Sequence, residues 1–387
     1  VPMALSIRVA GAMSGGLKEL PKPRRCWREP QMFESGQPRI FALPPGADFP
    51  AELVRGLRER LACSPPEAMA NVQLFVNTQR MRRRITEIFA ASGPGLLPQI
   101  RLITDLDTEA ALEGIPPAVS PLRRRLELTR LIAHLLDAAP DLAPRAALYD
   151  LADSLATLMD EMQGEGVPPE AIAALDVSNH SAHWTRTQQF LSIVQPFFGT
   201  DEAPDPEARQ RRTVEALAAR WAVAPAEGPV IVAGSTGSRG TTLRFMQAVA
   251  ALPQGALVLP GYDFDLPVPV WEGMSDALTA EDHSQFRFRR MMDVLGFQPT
   301  DVMRWTATRA PNPARNALVS LSLRPAPVTD QWLSEGQGLK DLAKTTAELT
   351  LIEAESPRDE ALAVALILRK AVEDGRTAAL ITPDRNL

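Results

Sequence analysis

The sequence predicts an α/β fold whose parallel sheet is interrupted by a helical insertion. Three observations predict it. From Arg39 to about Pro116, short apolar runs bounded by Gly, Pro or Asn alternate with segments of helical period. From there to Ala224 the pattern is almost purely helical, and beyond Ala224 the apolar runs return. Runs of this length and continuity suit strands buried on both faces, which is how parallel sheets are built.

Each element follows in order. Residues 1–31 carry scattered Gly, Pro and Arg, and Arg8 breaks their one apolar stretch, so they read as a disordered or mis-called extension rather than a secretory signal. Met32 is the better start. RIFALPPG is expected as strand and turn, with FPAELVRGLRERLA as the helix after it; VQLFVNT and QRMRRRITEIFA repeat that pair. PLRRRLELTRLIAHLLDA and ALYDLADSLATLMDEM carry apolar residues at helical spacing and form the insertion. PVIVAG and GALVLPG resume the sheet, and the Pro-marked stretch from Pro311 to Pro327 reads as a linker. LTLIEAESP, the helix RDEALAVALILRKAVEDG and AALITPDRNL are expected as a further β-α-β unit. A parallel strand needs neighbours, so this unit is expected to open a second α/β domain that breaks off at Leu387. The chain thus divides into 1–31, an extension; 32–115, the first part of an α/β domain; 116–224, the insertion; 225–345, the rest of that domain with a linker; and 346–387, the start of a second.

Composition limits the function. A chain of 387 residues, 45% of them apolar, has the size of two or three domains. No run of about 18 apolar residues occurs, so no membrane span is expected. Cys26 and Cys63 make neither a disulfide framework nor a CxxC pair, which fits a reducing, cytoplasmic setting. The net charge of −6 argues against coating nucleic acid by bulk attraction, though local basic patches are compatible with it.

PVIVAGSTGSRGTT has the layout of a phosphate loop: strand, Gly-rich turn, helix. A P-loop also needs a Lys directly after its second Gly to hold the β- and γ-phosphates. Only Lys18, Lys22, Lys340, Lys344 and Lys370 are lysines, and none lies near this turn. Gly234 to Gly240 is one residue too long for GxxxxGK[ST], and Arg239 precedes the glycine instead of following it. The residues Gly234, Ser235, Thr236, Gly237, Ser238, Arg239, Gly240 and Thr241 therefore form a candidate site for an isolated anion, beside the equal alternative of a ligand-free strand-to-helix turn. LPPGADFP, where a first phosphate loop belongs, carries Pro44, Pro45 and Asp48 in place of a Gly-Lys-Ser ending.

The arginine clusters are the next candidates. Arg123 to Arg125, Arg209 with Arg211 and Arg212, and Arg287, Arg289 and Arg290 with Phe286 and Phe288 have solvated helix faces and core packing as their ordinary explanation. Arg80, Arg82, Arg83 and Arg84 differ, because they follow a strand and open a helix, where open α/β sheets bind ligands. With Thr78 they are the candidate contacts to a nucleic-acid backbone. His180 and His183 lack a third ligand for zinc, and Asp263 with Asp265 reads as a turn. No serine has a base and an orienting acid around it, so no catalytic residue is assigned.

Taken in order, VNTQRMRRR, RRRLELTRLIAHLL, ALYDLADSLATLMDEMQGEGV, PDPEARQRR, VIVAGSTGSRGTT, LVLPGYDFDLP, EDHSQFRFRRMMDVLG, LRPAPVTDQW and AALITPDR resemble the AddB family in its alphaproteobacterial form, from about Met32 onward. AddB is a subunit of the AddAB helicase-nuclease of double-strand break repair. The resemblance implies a superfamily 1 helicase-like fold, with a RecA-like, P-loop NTPase-type parallel sheet and a helical insertion, followed by a second RecA-like domain and a nuclease domain beyond Leu387. It implies an AddA-type partner that carries the main motor, DNA ends and a scanned single strand as ligands, and Mg and ATP for the whole complex but no cofactor held by these residues. By position, NTQRMRRR resembles the helicase motif that touches single-stranded DNA. Two functions follow as expectations: a non-motor, DNA-binding scaffold that scans for a Chi-type sequence, or a P-loop-like ATP-binding enzyme that uses the loop from Gly234 to Thr242 with Arg239 in place of Lys.

Overall fold

A computed structural model describes residues 32–33, 39–106, 114–168, 170–171, 174 and 203–384. Its centre is a sheet of six parallel strands: β1 (Ile40–Ala42), β2 (Gln73–Val76), β3 (Gln99–Leu102), β4 (Val230–Ala233), β5 (Gly255–Leu259) and β6 (Met303–Arg304). Their order is β3-β2-β4-β5-β1-β6. The interior strands β1, β4 and β5 are buried at every residue, whereas the edge strands β3 and β6 are partly exposed. That contrast explains why only the interior strands were legible as apolar runs. QIRL alternates polar and apolar residues, and β6 is two residues long.

Helices cover both faces. On one face lie α1 (Phe49–Leu61) and α2 (Gln79–Ala91), which bury Leu53, Val54, Leu57, Ile85 and Phe89 against Leu74, Val76, Ile231 and Val258. Trp305 joins this core, and its indole N–H donates to the carbonyl of Leu53 at 3.2 Å. Gly56 lets the ring in, because a Cβ there would collide with the indole. Arg60 then lies over the Trp305 ring, 3.7 Å from its centroid, and burial lowers its pKa to about 10.

After β3 the chain forms α3 (Pro121–Ala138), α4 (Leu148–Glu165) and α5 (Pro206–Val223) before it re-enters the sheet at β4. These three helices do not behave as one body. Val214, Leu217 and Trp221 of α5 belong to the core on the second face, with Phe75, Val232, Phe245 and Val249. By contrast, α3 and α4 bury Leu128, Ile132, Leu136, Leu155 and Met159 against one another, in a core that among the described residues is made of the hairpin alone. The second face also receives α6 (Gly240–Ala251), α7 (Val268–Gly273), α8 (Ala277–Ala280) and α9 (Phe286–Leu295).

The stretch expected as a linker contains α10 (Pro313–Ser322), followed by α11 (Gln331–Glu335) and α12 (Leu342–Thr346). Its prolines mark helix starts. Pro313 follows the N-cap Asn312, whose side chain accepts from the amide of Arg315 at 3.0 Å. Helix α13 (Pro357–Glu373) forms as expected, but LTLIEAESP and AALITPDRNL form no strand among the described residues. A parallel strand obtains its hydrogen bonds only from a neighbour. None lies beside these segments, and Leu351 and Ile381 stay exposed. No described helix is long and apolar enough to cross a membrane.

Candidate functional site

The sheet has a switch point between β2 and β4. The helix after β2 lies on one face and the helix after β4 on the other, so the loops part at the carboxyl ends of two paired strands. Open α/β sheets bind ligands in such crevices. Here three loops converge. Gly234 has φ +78°, and a Cβ on it would stand 3.3 Å from Met81 Cε and Phe49 Cε1 and 3.7 Å from Asn77 Oδ1. Both the left-handed backbone and the close neighbours favour glycine at this position.

On the β2 side, Thr78 caps α2, its hydroxyl accepting from the amide of Met81 at 3.1 Å. The cap is neutral, so the positive end of the helix dipole carries no compensating carboxylate. Arg80 and Arg83 are exposed and have no ion-pair partner among the described residues. Arg82 lies 3.9 Å from Asp105, and Arg84 lies 3.8 Å from Glu87. Of the four arginines read from the sequence as one cluster, two are partly neutralised and two have no partner among the described residues.

The β4 side is built differently. Ser235 accepts from the amide of Gly237 through its hydroxyl, 3.2 Å away, which folds the loop on itself. The amide of Gly240, the first residue of α6, donates to Glu165 Oε1 at 2.8 Å. Thr241 is buried, and its hydroxyl donates to the carbonyl of Gly164 at 3.0 Å. Arg239 points to Glu207, 3.6 Å away. Thr236 is half-buried and Ser238 exposed. A Cβ on Gly240 would come within 2.8 Å of Glu165 Cα and the carbonyl of Gly164, so this glycine admits the end of α4 rather than a phosphate. The amide that opens α6 thus has an internal carboxylate as its partner.

The first loop is closed as well. The carboxylate of Asp48 accepts from the amide of Ala51 at 3.3 Å and caps α1. Asn316 donates to the carbonyl of Pro45 at 3.1 Å, and Glu52 accepts the hydroxyls of Thr306 and Thr308 at 2.6 and 2.5 Å. Arg55 joins the same cluster, bonding both Glu52 and Thr308, so the start of α1 is covered by the chain's own side chains.

The other basic clusters are structural. Arg124 is buried; it donates to Asp160 at 2.6 Å and to the carbonyl of Ala156 at 2.8 Å, while its Nε lies 3.2 Å from Asp205 as an ion-pair contact without a hydrogen bond. Asp205 also accepts from Gln163 at 3.0 Å; burial raises its pKa, and Arg124 offsets only part of that rise. Arg123 pairs with Glu127, Arg125 with Asp153, and Arg211 with Glu215, while Arg209 donates to the carbonyl of Pro116. Phe286 and Phe288 are core residues; Arg287 pairs with Glu281, Arg289 with Asp293 and Arg290 with Glu165. Asp263 accepts from the amide of Asp265 at 3.0 Å, as a turn requires. His180 and His183 lie outside the described residues. Among the described residues, no three His, Cys, Asp or Glu side chains are grouped to hold a metal ion.

The sequence reading missed Glu165 altogether. A glutamate between two glycines, in MQGEGV, was its one local signal. It also missed Phe49, Asn77 and Met81, whose meeting depends on the strand order. Compared with known proteins, the chain matches no family model and no curated sequence significantly.

Proposed function

We propose that the chain is a non-motor, helicase-like DNA-binding scaffold of a double-strand break repair helicase-nuclease of the AddAB kind. The all-parallel sheet with a helical excursion between β3 and β4 supports the RecA-like, superfamily 1 reading that the family resemblance implies. One observation carries the proposal. Along the carboxyl edge of the sheet, the helix starts of α1 and α6 are each occupied by an internal carboxylate, Asp48 and Glu165, while the start of α2 presents free Arg80 and Arg83. A triphosphate would meet like charge at the first two, whereas a single phosphate diester would meet uncompensated positive charge at the third. Thr78 and the first amides of α2 add donors that hold a backbone in register without reading its bases.

The scaffold works with an AddA-type motor subunit at DNA ends, with ATP and Mg used by the complex and not by this chain. Its own task is to hold the single strand that leaves the motor. Fluorescence anisotropy with a labelled oligo-dT across a salt series tests the proposal. Arg80→Ala with Arg83→Ala should reduce the slope of log affinity against log salt by about 1.4, two single-strand phosphate contacts at roughly 0.7 each. The same slope in wild type and variant would refute it. Nucleotide retained by the wild type and lost in Arg239→Ala would favour the P-loop-like reading instead.

A further inference from the structure

The α3–α4 hairpin is joined to the rest of the molecule in an unusual way. Among the described residues its apolar core is its own, and polar contacts to the sheet body gather at one end, where α3 begins and α4 ends, beside the buried Met162. Gly166, with φ +71°, ends α4 in a left-handed cap, and the carbonyl of Gly164 then faces the body. It accepts from Thr241 at 3.0 Å and from Arg211 at 3.4 Å. Glu165 completes the contact, with Oε1 on the amide of Gly240 at 2.8 Å and Oε2 3.4 Å from Arg290. Glu165 and Arg290 are both partly exposed, at 34% and 48%. Such pairs contribute little net stability and weaken with salt, unlike a buried apolar seam.

We propose that the α3–α4 hairpin is an arm latched to the sheet body through Glu165, and that this latch withholds Arg290 from single-stranded DNA. The latch itself stands on the geometry above, and its consequence for DNA rests on the single-strand reading of the neighbouring crevice. With Glu165 in place, its carboxylate is the partner of Arg290 and of the first amide of α6. When Glu165 lets go, Arg290 joins Arg80 and Arg83 as an uncompensated cation, and the arm keeps its shape because its core is untouched. A polyanion and Glu165 therefore compete for Arg290, so DNA loading and release of the latch are linked in both directions.

Hydrogen exchange read by mass spectrometry and the oligo-dT titration test the two parts separately. In Glu165→Ala, peptides covering residues 240–243 should exchange about tenfold faster, while peptides within α3 and α4 keep their wild-type protection. Oligo-dT should bind about fivefold tighter near 0.1 M salt, with the slope steeper by about 0.7, as one added single-strand phosphate contact requires. Glu165→Ala with Arg290→Ala should return to wild-type affinity. Glu165→Gln guards against a folding defect, because its amide oxygen still accepts from Gly240 while the charge facing Arg290 is gone; it should keep the exchange protection and show the gain in binding. Unchanged exchange at 240–243 in Glu165→Ala overturns the latch. Unchanged binding in both Glu165 variants, where Arg80→Ala with Arg83→Ala does weaken binding, overturns the masking and leaves the proposed function standing.

Discussion

The starts of α2 and α6 flank one crevice and differ in what neutralises them. At α2 the cap is a hydroxyl, and the arginines of the first turn reach solvent. At α6 the cap comes from another helix, and it is a carboxylate. The two loops looked alike in the sequence, since each runs from a buried strand into a helix with hydroxyls and arginines near the turn. What separates them is not the turn but the residue that arrives from elsewhere to satisfy the helix end. A Gly-rich loop is therefore a weak guide to anion binding until the partners of its amides are known.

The largest effect expected from this difference is on stability. Gly240→Ala drives a methyl against the backbone of α4, where a side chain cannot rotate away. It should cost about 2 kcal/mol, within the range for overpacking, read as a lower urea midpoint at unchanged m. A loss under half that size would mean that α4 docks loosely and that the α6 start is open. Next comes binding. Arg80→Ala with Arg83→Ala should lower oligo-dT affinity about tenfold at moderate salt, while its unfolding free energy stays within about 0.5 kcal/mol of wild type, because neither side chain has a partner among the described residues. An equal loss of stability would mean that these arginines serve the fold and would erase the contrast. Smaller again is the hydroxyl cap: Thr78→Ala should destabilise by about 1 kcal/mol, and Thr78→Ser should restore most of it.

These differences also show which features the sequence could reveal. Thr78 and its arginines are local, so strand, cap and basic turn are written within a dozen residues. Glu165 meets Gly240 across a separation of 75 positions, and no helical period encodes that meeting. Gly234 was read as part of a candidate anion site or a plain strand-to-helix turn, and its left-handed φ and closeness to Phe49 and Met81, which favour glycine there, depend on partners far away in sequence. The interior strands were plain because burial on both faces makes them continuously apolar; β3 and β6, half-exposed at the edges, were not. The segments on either side of α13 show the reverse case. They have the composition of strands, but an apolar run becomes a parallel strand only when another strand lies beside it.

The smallest expected effect concerns how the arm is anchored behind its latch. Asp205, buried at the start of α5, holds Arg124 of α3 and accepts from Gln163 of α4. Burial raises its pKa above the unfolded value, and the attraction of Arg124 does not cancel that rise. The sign follows from linkage: a carboxyl with a raised folded pKa binds its proton more readily when folded, so its contribution to stability is full below the unfolded pKa, about 4, and declines as pH climbs through the folded value. Most paired carboxylates behave in the opposite way. Urea unfolding of wild type and Asp205→Asn at closely spaced pH values upward from about 4 should therefore diverge, the wild type losing stability relative to the variant as Asp205 ionises. A wild type that gains on the variant over that window would mean that the Arg124 pair dominates burial. The anchor would then be a tight ion pair, and the polar end of the arm would resist release.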